Sequence, residues 1–436
     1  MLVKQFARFG FVGSQNGRKM VQFKAQRWLY FASLVLAAES IYMLPYLRRI
    51  FQTSMEEAFG LGAVDIGLLN SMYGLVALAA YFPGGWLADR ISARKLLAFS
   101  LFSTGLGGLY MASIPSHTGL IALYAFWGIT SILTFWAALI KAVRNWGGAD
   151  QQGMGFGFFE AGRGLVAALL ASTATIVFAY GGSATDGLVK VITYYSAVTL
   201  FAAVLVWLLV PDDLHEQPSA DVRTQQAGEG QPPHWRDILK NGRSWLLAAV
   251  IFCAYLLYLG TYDFPAYAER GFEQTKLFGA QLATFRDWMR PLAAISAGLI
   301  ADRLKPSRVV RTSFLLLLLI YVSFAVLPAD SDQLWLLWGQ VAIAALAGFS
   351  LRAVFYALLQ ETGVPLSQTG MTVGFVSVIG YSPDLFVHTL AGSFVDWFGV
   401  GVGYRYYFGF LSMFAGLGLL ATWKMVRHPA SSPVDV

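Results

Sequence analysis

The sequence contains few charged residues and almost no cysteine. Only 13% of its 436 residues are charged, whereas a soluble domain carries about 25%. The single cysteine, Cys253, lies in an apolar run without a partner, which excludes a disulfide framework and a cysteine-based metal cluster. The sequence has five histidines and no glycine-rich loop ending in Lys-Ser or Lys-Thr. It therefore predicts no metal, no nucleotide cofactor and no enzymatic chemistry.

The balance of charge is basic, with a formal net charge of +6 and a pI near 9.2. The basic residues are spread over short segments between apolar runs instead of forming one patch. This distribution argues against nucleic acid as a partner and favours a role in membrane orientation.

Long apolar runs dominate the chain, and 56% of the residues are hydrophobic. A helix that spans a bilayer needs about 20 mostly apolar residues. Twelve runs meet this requirement, near residues 27–50, 63–88, 95–113, 119–143, 153–180, 188–210, 244–267, 276–301, 308–328, 333–359, 369–395 and 403–425. We therefore predict an all-α, multi-pass membrane protein with twelve transmembrane helices in two six-helix bundles.

A polar segment rich in proline and glycine divides the runs into six and six. Such a segment is typical of a flexible tether. The predicted organisation is an N-terminal segment of residues 1–26, a bundle of 27–210, a linker of 211–243, a second bundle of 244–426 and a tail of 427–436.

Lys and Arg fall unequally on the two sides of the predicted membrane. The side that carries both termini has 21, and the other has six: Arg48, Arg49, Lys190, Arg270, Lys276 and Arg405. Because cytoplasmic loops carry the excess of basic residues, both termini are predicted to be cytoplasmic. No cleavage site of small residues follows the basic N-terminal segment, so the first helix is predicted to be an uncleaved anchor.

One loop motif occurs once in each half. After the second run the chain reads GWLADRISARK from Gly85, and after the eighth it reads GLIADRLKPSR from Gly298. The small Gly allows a neighbouring helix to approach, and the charged residues can pair with a facing helix end. The alternative is that these are only juxtamembrane charges. The repeat resembles the loop motif of the major facilitator superfamily, which implies a transporter fold with Asp89, Arg90, Asp302 and Arg303 as gating residues.

A finer likeness links residues 27–396 to the sugar-phosphate permease branch, particularly its bacterial members. It rests on YMLPYLR from Tyr42, YFPGG from Tyr81, RPLAA from Arg290 and VSVIGYSPD from Val376. The organophosphate antiporters of this branch have a phosphate-binding Arg where this chain has Tyr258, and a pocket His where it has Arg163. These two departures from the pattern of the branch argue against phosphate as the cargo.

Eight acidic and basic residues and one histidine lie inside predicted helices. Facing lipid, each charge would cost roughly 2.5 to 3.5 kcal/mol, so they must face a cavity or each other. Spacings of three and four predict pairs of Glu160 with Arg163, Asp287 with Arg290, and Asp384 with His388. The nine are Glu39, Glu160, Arg163, Arg286, Asp287, Arg290, Arg352, Asp384 and His388.

These residues supply the candidate site. Arginines suit an anion and tyrosines suit substrate hydroxyls. The substrate-binding candidates are Arg163, Arg286, Arg290, Tyr258, Tyr42 and Tyr46. The proton-coupling candidates are Glu39, Asp384 and His388, and Glu160 and Arg352 join the gating residues. For each charged residue the alternative is a structural ion pair, and for the tyrosines and His388 it is packing.

The predicted function is secondary transport of a small polar, anionic organic solute by alternating access, as a symporter or antiporter driven by a proton or solute gradient. The expected setting is the bacterial inner membrane, with lipid and solute as partners and the chain as a monomer. A membrane sensor that binds without transporting is the alternative. A channel is disfavoured because paired charges, and not carbonyl rings, line the interior.

Overall fold

The computed structural model describes residues 15–147, 152–212, 241–303, 305–358 and 369–427. Most of the predicted linker, and the outer parts of the predicted terminal segments, lie outside these residues. Within them the chain forms twelve helical segments: α1 (Gln15–Met43, continued by Arg48–Phe59), α2 (Ala63–Arg90), α3 (Ala93–Ala112), α4 (His117–Gly128, Ile129–Trp136 and Ala137–Gly147), α5 (Gln152–Ala179), α6 (Ala184–Leu209), α7 (Gly242–Gly260, Thr261–Asp263 and Phe264–Gly271), α8 (Lys276–Arg303), α9 (Pro306–Val326), α10 (Leu334–Val354), α11 (Thr369–Gly380, Ser382–Leu385 and the start of Val387–Arg427) and α12 (the part of Val387–Arg427 after Gly399).

The helical membrane fold is confirmed. Nine stretches of the described helices are long and apolar enough to cross a bilayer, and one of them, Phe375–Val426, contains the turn at Gly399 that separates α11 from α12. Gly399 has φ of +74°, which is accessible to glycine at no steric cost. α3 and α8 lie outside the nine, and α8 carries three charged residues in its middle.

The first helix is longer than its apolar run predicts. After a turn at residues 44–47 it continues from Arg48 to Phe59, and ends at Gly60 with φ of +63°. Arg48 and Arg49, counted from the sequence with the basic residues on the side opposite the termini, have buried side chains. Their partners on α7, α8 and α11 replace the water that a loop would offer.

Two helices are broken inside the bundle, and each break carries a polar side chain. A 3₁₀ turn at Thr261–Asp263 interrupts α7, and another at Ser382–Leu385 interrupts α11. Each turn carries one acidic residue, Asp263 or Asp384. Broken helices can hold such groups at membrane depth because they face protein or a cavity and not lipid.

The apolar core is divided between the two halves of the described chain, residues 15–212 and 241–427. One large cluster of buried side chains draws all its members from residues 247–425. The other two are built from the first half, apart from Ala280 and Ala283 of α8. Those two alanines lie where α8 packs along α5, next to Thr175.

Small residues bring α2 and α11 together. A Cβ on Gly67 would lie 2.5 Å from the backbone nitrogen of Thr389, and a Cβ on Gly392 would lie 2.7 Å from the carbonyl carbon of Ala63. Both contacts are near the start of α2, at what we call the distal end of the bundle, where α1 ends. The halves therefore meet there at backbone distance.

Candidate functional site

Four charged residues meet where α1, α5 and α8 converge, and we call them the Glu39 cluster. Glu39 accepts a hydrogen bond from Nε of Arg163 at 3.2 Å and one from Nη1 of Arg290 at 2.8 Å. Glu160 pairs with Arg163 at 2.8 Å and lies 3.9 Å from Arg290. One arginine comes from each half, so the two carboxylates join the halves.

The two carboxylates of this cluster differ in exposure. The side chain of Glu39 is 3% exposed, whereas that of Glu160 is 53% exposed. The cluster is thus closed on the Glu39 side and open on the Glu160 side. With two acids and two bases, its charges balance.

A second group of polar residues, the Arg48 cluster, lies nearer the distal end. Arg48 bonds to Asp263 at 2.6 Å and to Gln52 at 2.5 Å, and it also contacts Nδ1 of His388. Asp263 accepts a further bond from Tyr407 at 2.7 Å. Arg48 is 1% exposed, so this cluster is shut off from water.

Asp287 of α8 lies between two arginines from different halves. Arg286 binds it at 2.9 Å and Arg49 lies 3.4 Å away. Arg286 also donates to the carbonyl of Thr261 at 2.9 Å, which satisfies a backbone oxygen at the break in α7. This group carries one more positive charge than negative, and all three side chains are buried.

The distal rim has a fourth set of contacts between the halves. Glu56 and Glu57 of α1 pair with Arg270 and Lys276, respectively. Nearby, the hydroxyl of Thr53 donates to the carboxylate of Glu269. These side chains are partly exposed, unlike those of the Arg48 cluster.

A row of tyrosines on α7 contacts two other charged residues, Arg352 and Asp384. The guanidinium of Arg352 lies 4.7 Å from the ring centre of Tyr258 and 5.9 Å from that of Tyr255. Asp384 accepts hydrogen bonds from Tyr255 at 2.6 Å and from Tyr46 at 3.3 Å, both through Oδ2.

Comparison with known proteins identifies the fold and its family. A model of the Major Facilitator Superfamily matches residues 29–386. The chain belongs to this superfamily. It is 29% identical over 406 residues to the inner membrane protein YihN of Escherichia coli K12, across 92% of this chain and 96% of that protein. Membership makes the chain a multi-pass membrane transporter and not an enzyme.

Two further likenesses are more distant. The D-galactonate transporter of Escherichia coli O6:H1 is 24% identical over 109 residues, 25% of each chain. The solved structure of a bacterial homologue of the human lysosomal transporter Spinster, in an inward-facing and unoccupied conformation, superposes with a TM-score of 0.70 at 14% identity. That match covers 93% of this chain and 99% of the other and shows the same fold.

Of the three ion pairs that helix spacing predicts in this transporter, one is present. Glu160 does pair with Arg163. Arg290 instead binds Glu39, which leaves Asp287 to Arg286 and Arg49. The spacing argument failed there because partners from α1 compete with those within α8.

The predicted pair of Asp384 with His388 is also absent, because the 3₁₀ turn of α11 rotates the two side chains apart. Asp384 binds tyrosines, while His388 contacts Arg48 and stacks on Tyr262 at 6.0 Å between ring centres. In the described chain the three proton-coupling candidates, Asp384, His388 and Glu39, therefore belong to three separate groups of side chains.

The remaining candidates fall into three environments. Arg286 is fully buried and bonds the carbonyl of Thr261 at the break in α7. Tyr42 and Tyr46 are half-buried on α1 with their ring centres 6.4 Å apart. The hydroxyl of Tyr258 bonds that of Tyr262 at 2.7 Å, so the α7 tyrosines form a continuous polar edge.

The gating candidates of the loop motif lie at the end opposite the distal rim. Asp89 and Arg90 are exposed, and Arg90 stacks on Trp86 at 3.8 Å. Arg94 of the same loop pairs with Asp212 at 2.8 Å. The side chains of Asp302 and Arg303, the matching pair in the second half, lie outside the described residues.

Sequence reasoning missed the Arg48 cluster. Three polar residues, Arg48, Gln52 and Glu56, follow one another at intervals of four and form a hydrogen-bonded chain, with Gln52 donating to Glu56 at 3.0 Å. That interval places them on one helix face. The signal was available, but the end of the apolar run near residue 50 concealed it.

Proposed function

We propose that this transporter carries a small polar organic anion together with a proton, by alternating access between the two halves. The Glu39 cluster carries the proposal. Arg163 and Arg290 reach it from opposite halves, and its open side is where a solute would enter. A solute held by both arginines would contact both moving bodies, as a carrier requires.

Charge balance argues for co-transport of a proton. The cluster is neutral when all four side chains are ionised, so an anion that bound alone would leave a net negative charge in a low-dielectric interior. Such a charge is costly unless it is paired. Protonation of Glu39 or Glu160 removes one negative charge and frees an arginine for the anion. Proton and anion should therefore bind together, in a ratio of one to one.

Glu39 is the better candidate for the proton. It is buried and bonds both arginines, so its protonation loosens both halves at once, whereas Glu160 is half exposed. The groups that face Glu39 are Arg163 and Glu160 of α5, Arg290 of α8, and Arg49 and Tyr42 of α1.

The name of the D-galactonate transporter supports the class of cargo. That relative's stated substrate is a hydroxylated organic acid, a class that combines a charge for arginine with hydroxyls for tyrosine. We extend only this class to the chain, as a starting point for ligand screening.

We also infer that both termini are cytoplasmic and that this structure faces the cytoplasm. Removing the buried Arg48 and Arg49 from the external count leaves four basic residues opposite 21, which strengthens the bias. The distal end, where the halves meet, is then periplasmic. A fluorescent reporter fused after Val436 should be bright in cells, and one that folds only in the periplasm should be inactive.

The test of co-transport uses the purified full chain in liposomes. D-galactonate is the first probe, followed by a panel of organic acids. Uptake should be driven by an inward proton gradient, and the affinity for the anion should fall by up to about tenfold for each unit of rising pH, because a proton binds with it. In Glu39→Gln the dependence on pH should disappear, since the titrating group is gone.

Glu57→Gln is the matched control, because Glu57 lies on the same helix but is half exposed at the rim. It should keep the pH dependence. Uptake that ignores the proton gradient would refute proton coupling. Binding without uptake in either direction would instead favour the sensor.

A further inference from the structure

Arg352 differs from the other arginines inside the bundle. Among the described residues, no carboxylate lies within 4.0 Å of its guanidinium, whereas Arg48, Arg49, Arg163, Arg286 and Arg290 each have one. Its contacts are the faces of Tyr258 and Tyr255. Aromatic rings stabilise a cation but do not neutralise it, so this positive charge is available to a ligand.

Asp384 shows the opposite imbalance. In the part of the chain that the structure describes, no Lys, Arg or His lies within 4.0 Å of it, and its bonds come from two tyrosine hydroxyls. Both hydroxyls bind Oδ2, and Asp384 is only half-buried. Oδ1 therefore has room to accept a hydrogen bond from another donor.

Tyr255 connects these two residues. Its ring faces Arg352 and its hydroxyl binds Asp384 at 2.6 Å, so one tyrosine contacts both the guanidinium and the carboxylate. Tyr258, one turn further along α7, extends the polar edge through its hydroxyl. A ligand along this edge would meet a fixed positive charge at one end and hydrogen-bond acceptors at the other.

We propose that Arg352, Tyr258, Tyr255 and Asp384 form the subsite that selects the cargo, and that the cargo is a polyhydroxylated monoanion, with its acid group on Arg352 and a distant hydroxyl on Asp384. The assignment rests on the proposed function and adds to it the residues that select the cargo and the limit to a single negative charge. It places the acid group of the cargo on Arg352 of α10 as well as on the arginine that protonation frees in the Glu39 cluster, because Arg163 and Arg290 are otherwise paired with carboxylates.

The charges also disfavour a doubly charged cargo. A phosphate monoester carries nearly two negative charges at neutral pH, and Arg352 supplies only one positive charge. Asp384, at the other end of the subsite, would repel a second negative charge. The site thus suits one carboxylate or sulfonate with several hydroxyls.

Four probes that differ in one property each test this class. D-galactonate has the acid and the hydroxyls, hexanoate lacks the hydroxyls, galactitol lacks the charge, and galactarate carries a second carboxylate. Affinities are measured on the purified full chain by calorimetry. D-galactonate should bind at least about tenfold more tightly than each of the others, as expected for a lost hydrogen bond or charge contact.

Two variants separate the ends of the subsite. Arg352→Gln should weaken D-galactonate binding by about 30-fold or more, with the melting temperature unchanged because no carboxylate loses a partner. Asp384→Asn should keep the affinity for hexanoate and lose most of the preference for D-galactonate. Arg144→Gln, at an exposed arginine of α4, is the matched control and should bind as the parent does.

The outcomes distinguish this subsite from the proposed function. Unchanged affinity in Arg352→Gln, or binding of D-galactonate no tighter than that of the other probes, overturns the subsite, even if proton-driven uptake persists. Loss of binding in Arg352→Gln supports the subsite, even if no proton gradient drives uptake, in which case the co-transport proposal alone fails.

Discussion

Two of the groups of ion pairs that join the halves, the Arg48 cluster and the Glu39 cluster, differ in their access to water. In the Arg48 cluster the two paired charges, Arg48 and Asp263, are both buried and meet across the interface. The Glu39 cluster, by contrast, has a half-exposed carboxylate. Similar side chains can thus serve different ends. Complete burial favours a closed gate, whereas partial exposure leaves room for a solute and a proton.

The largest effect on stability should come from breaking the buried ion pair of the Arg48 cluster. Arg48→Gln leaves Asp263 buried without its cation, and the loss of one partner of a buried pair costs about 3 to 5 kcal/mol. The melting temperature of the purified protein should fall clearly. In Arg48→Gln/Asp263→Asn it should recover in part, since no unpaired charge remains.

If the melting temperature of the double variant falls by the sum of the decreases in Arg48→Gln and Asp263→Asn, the two residues are not coupled. Arg144→Gln provides the baseline for loss of a surface arginine. If Arg48→Gln melts like that variant, the distal cluster contributes no more than exposed charges do, and the contrast between the two groups disappears.

A medium effect is expected where the halves meet at backbone distance. In Gly67→Ala the new Cβ would lie 2.5 Å from backbone atoms of α11, which cannot move as a flexible side chain does. Overpacking of this kind costs about 1 to 3 kcal/mol. The closed distal state should therefore lose population, seen as a longer distance between spin labels on the distal ends of α2 and α11.

Gly85→Ala is the control on the same helix, because nothing lies within 4 Å of a Cβ there. It has the same gain in helix propensity and should leave the distances unchanged. Equal distances in both variants would mean that the glycine contact does not limit closure.

The helices could be predicted from sequence because a spanning run depends only on length and apolar character. α1 is the exception. Its last turns are polar because Arg48 and Glu56 face Asp263 and Arg270 instead of lipid. A hydropathy profile considers only residues that are close in sequence, so it cannot detect partners from a distant part of the chain.

The site was harder to predict for the same reason. Spacing along one helix found Glu160 with Arg163, but the partner of Arg290 is Glu39, which lies 251 positions earlier. Spacing also presumes an unbroken helix, and the turn at Ser382–Leu385 separates Asp384 from His388. That Arg352 has no carboxylate beside it among the described residues emerges only once the other pairs of that part of the chain have been assigned.

The smallest effect on stability should come from the distal rim. There an exposed ion pair can be compared with the buried Arg48 cluster at the same end of the bundle. Lys276 pairs with Glu57, and their side chains are 28% and 54% exposed. Water and salt screen such a pair, so it contributes only about 0.2 to 1 kcal/mol. Lys276→Gln should therefore shift the melting temperature slightly at low ionic strength and not at all at high salt. The loss in Arg48→Gln should persist at both, because a buried pair is screened far less. An equal dependence on salt in the two variants would mean that water reaches both layers, and that the distal end is not closed in solution.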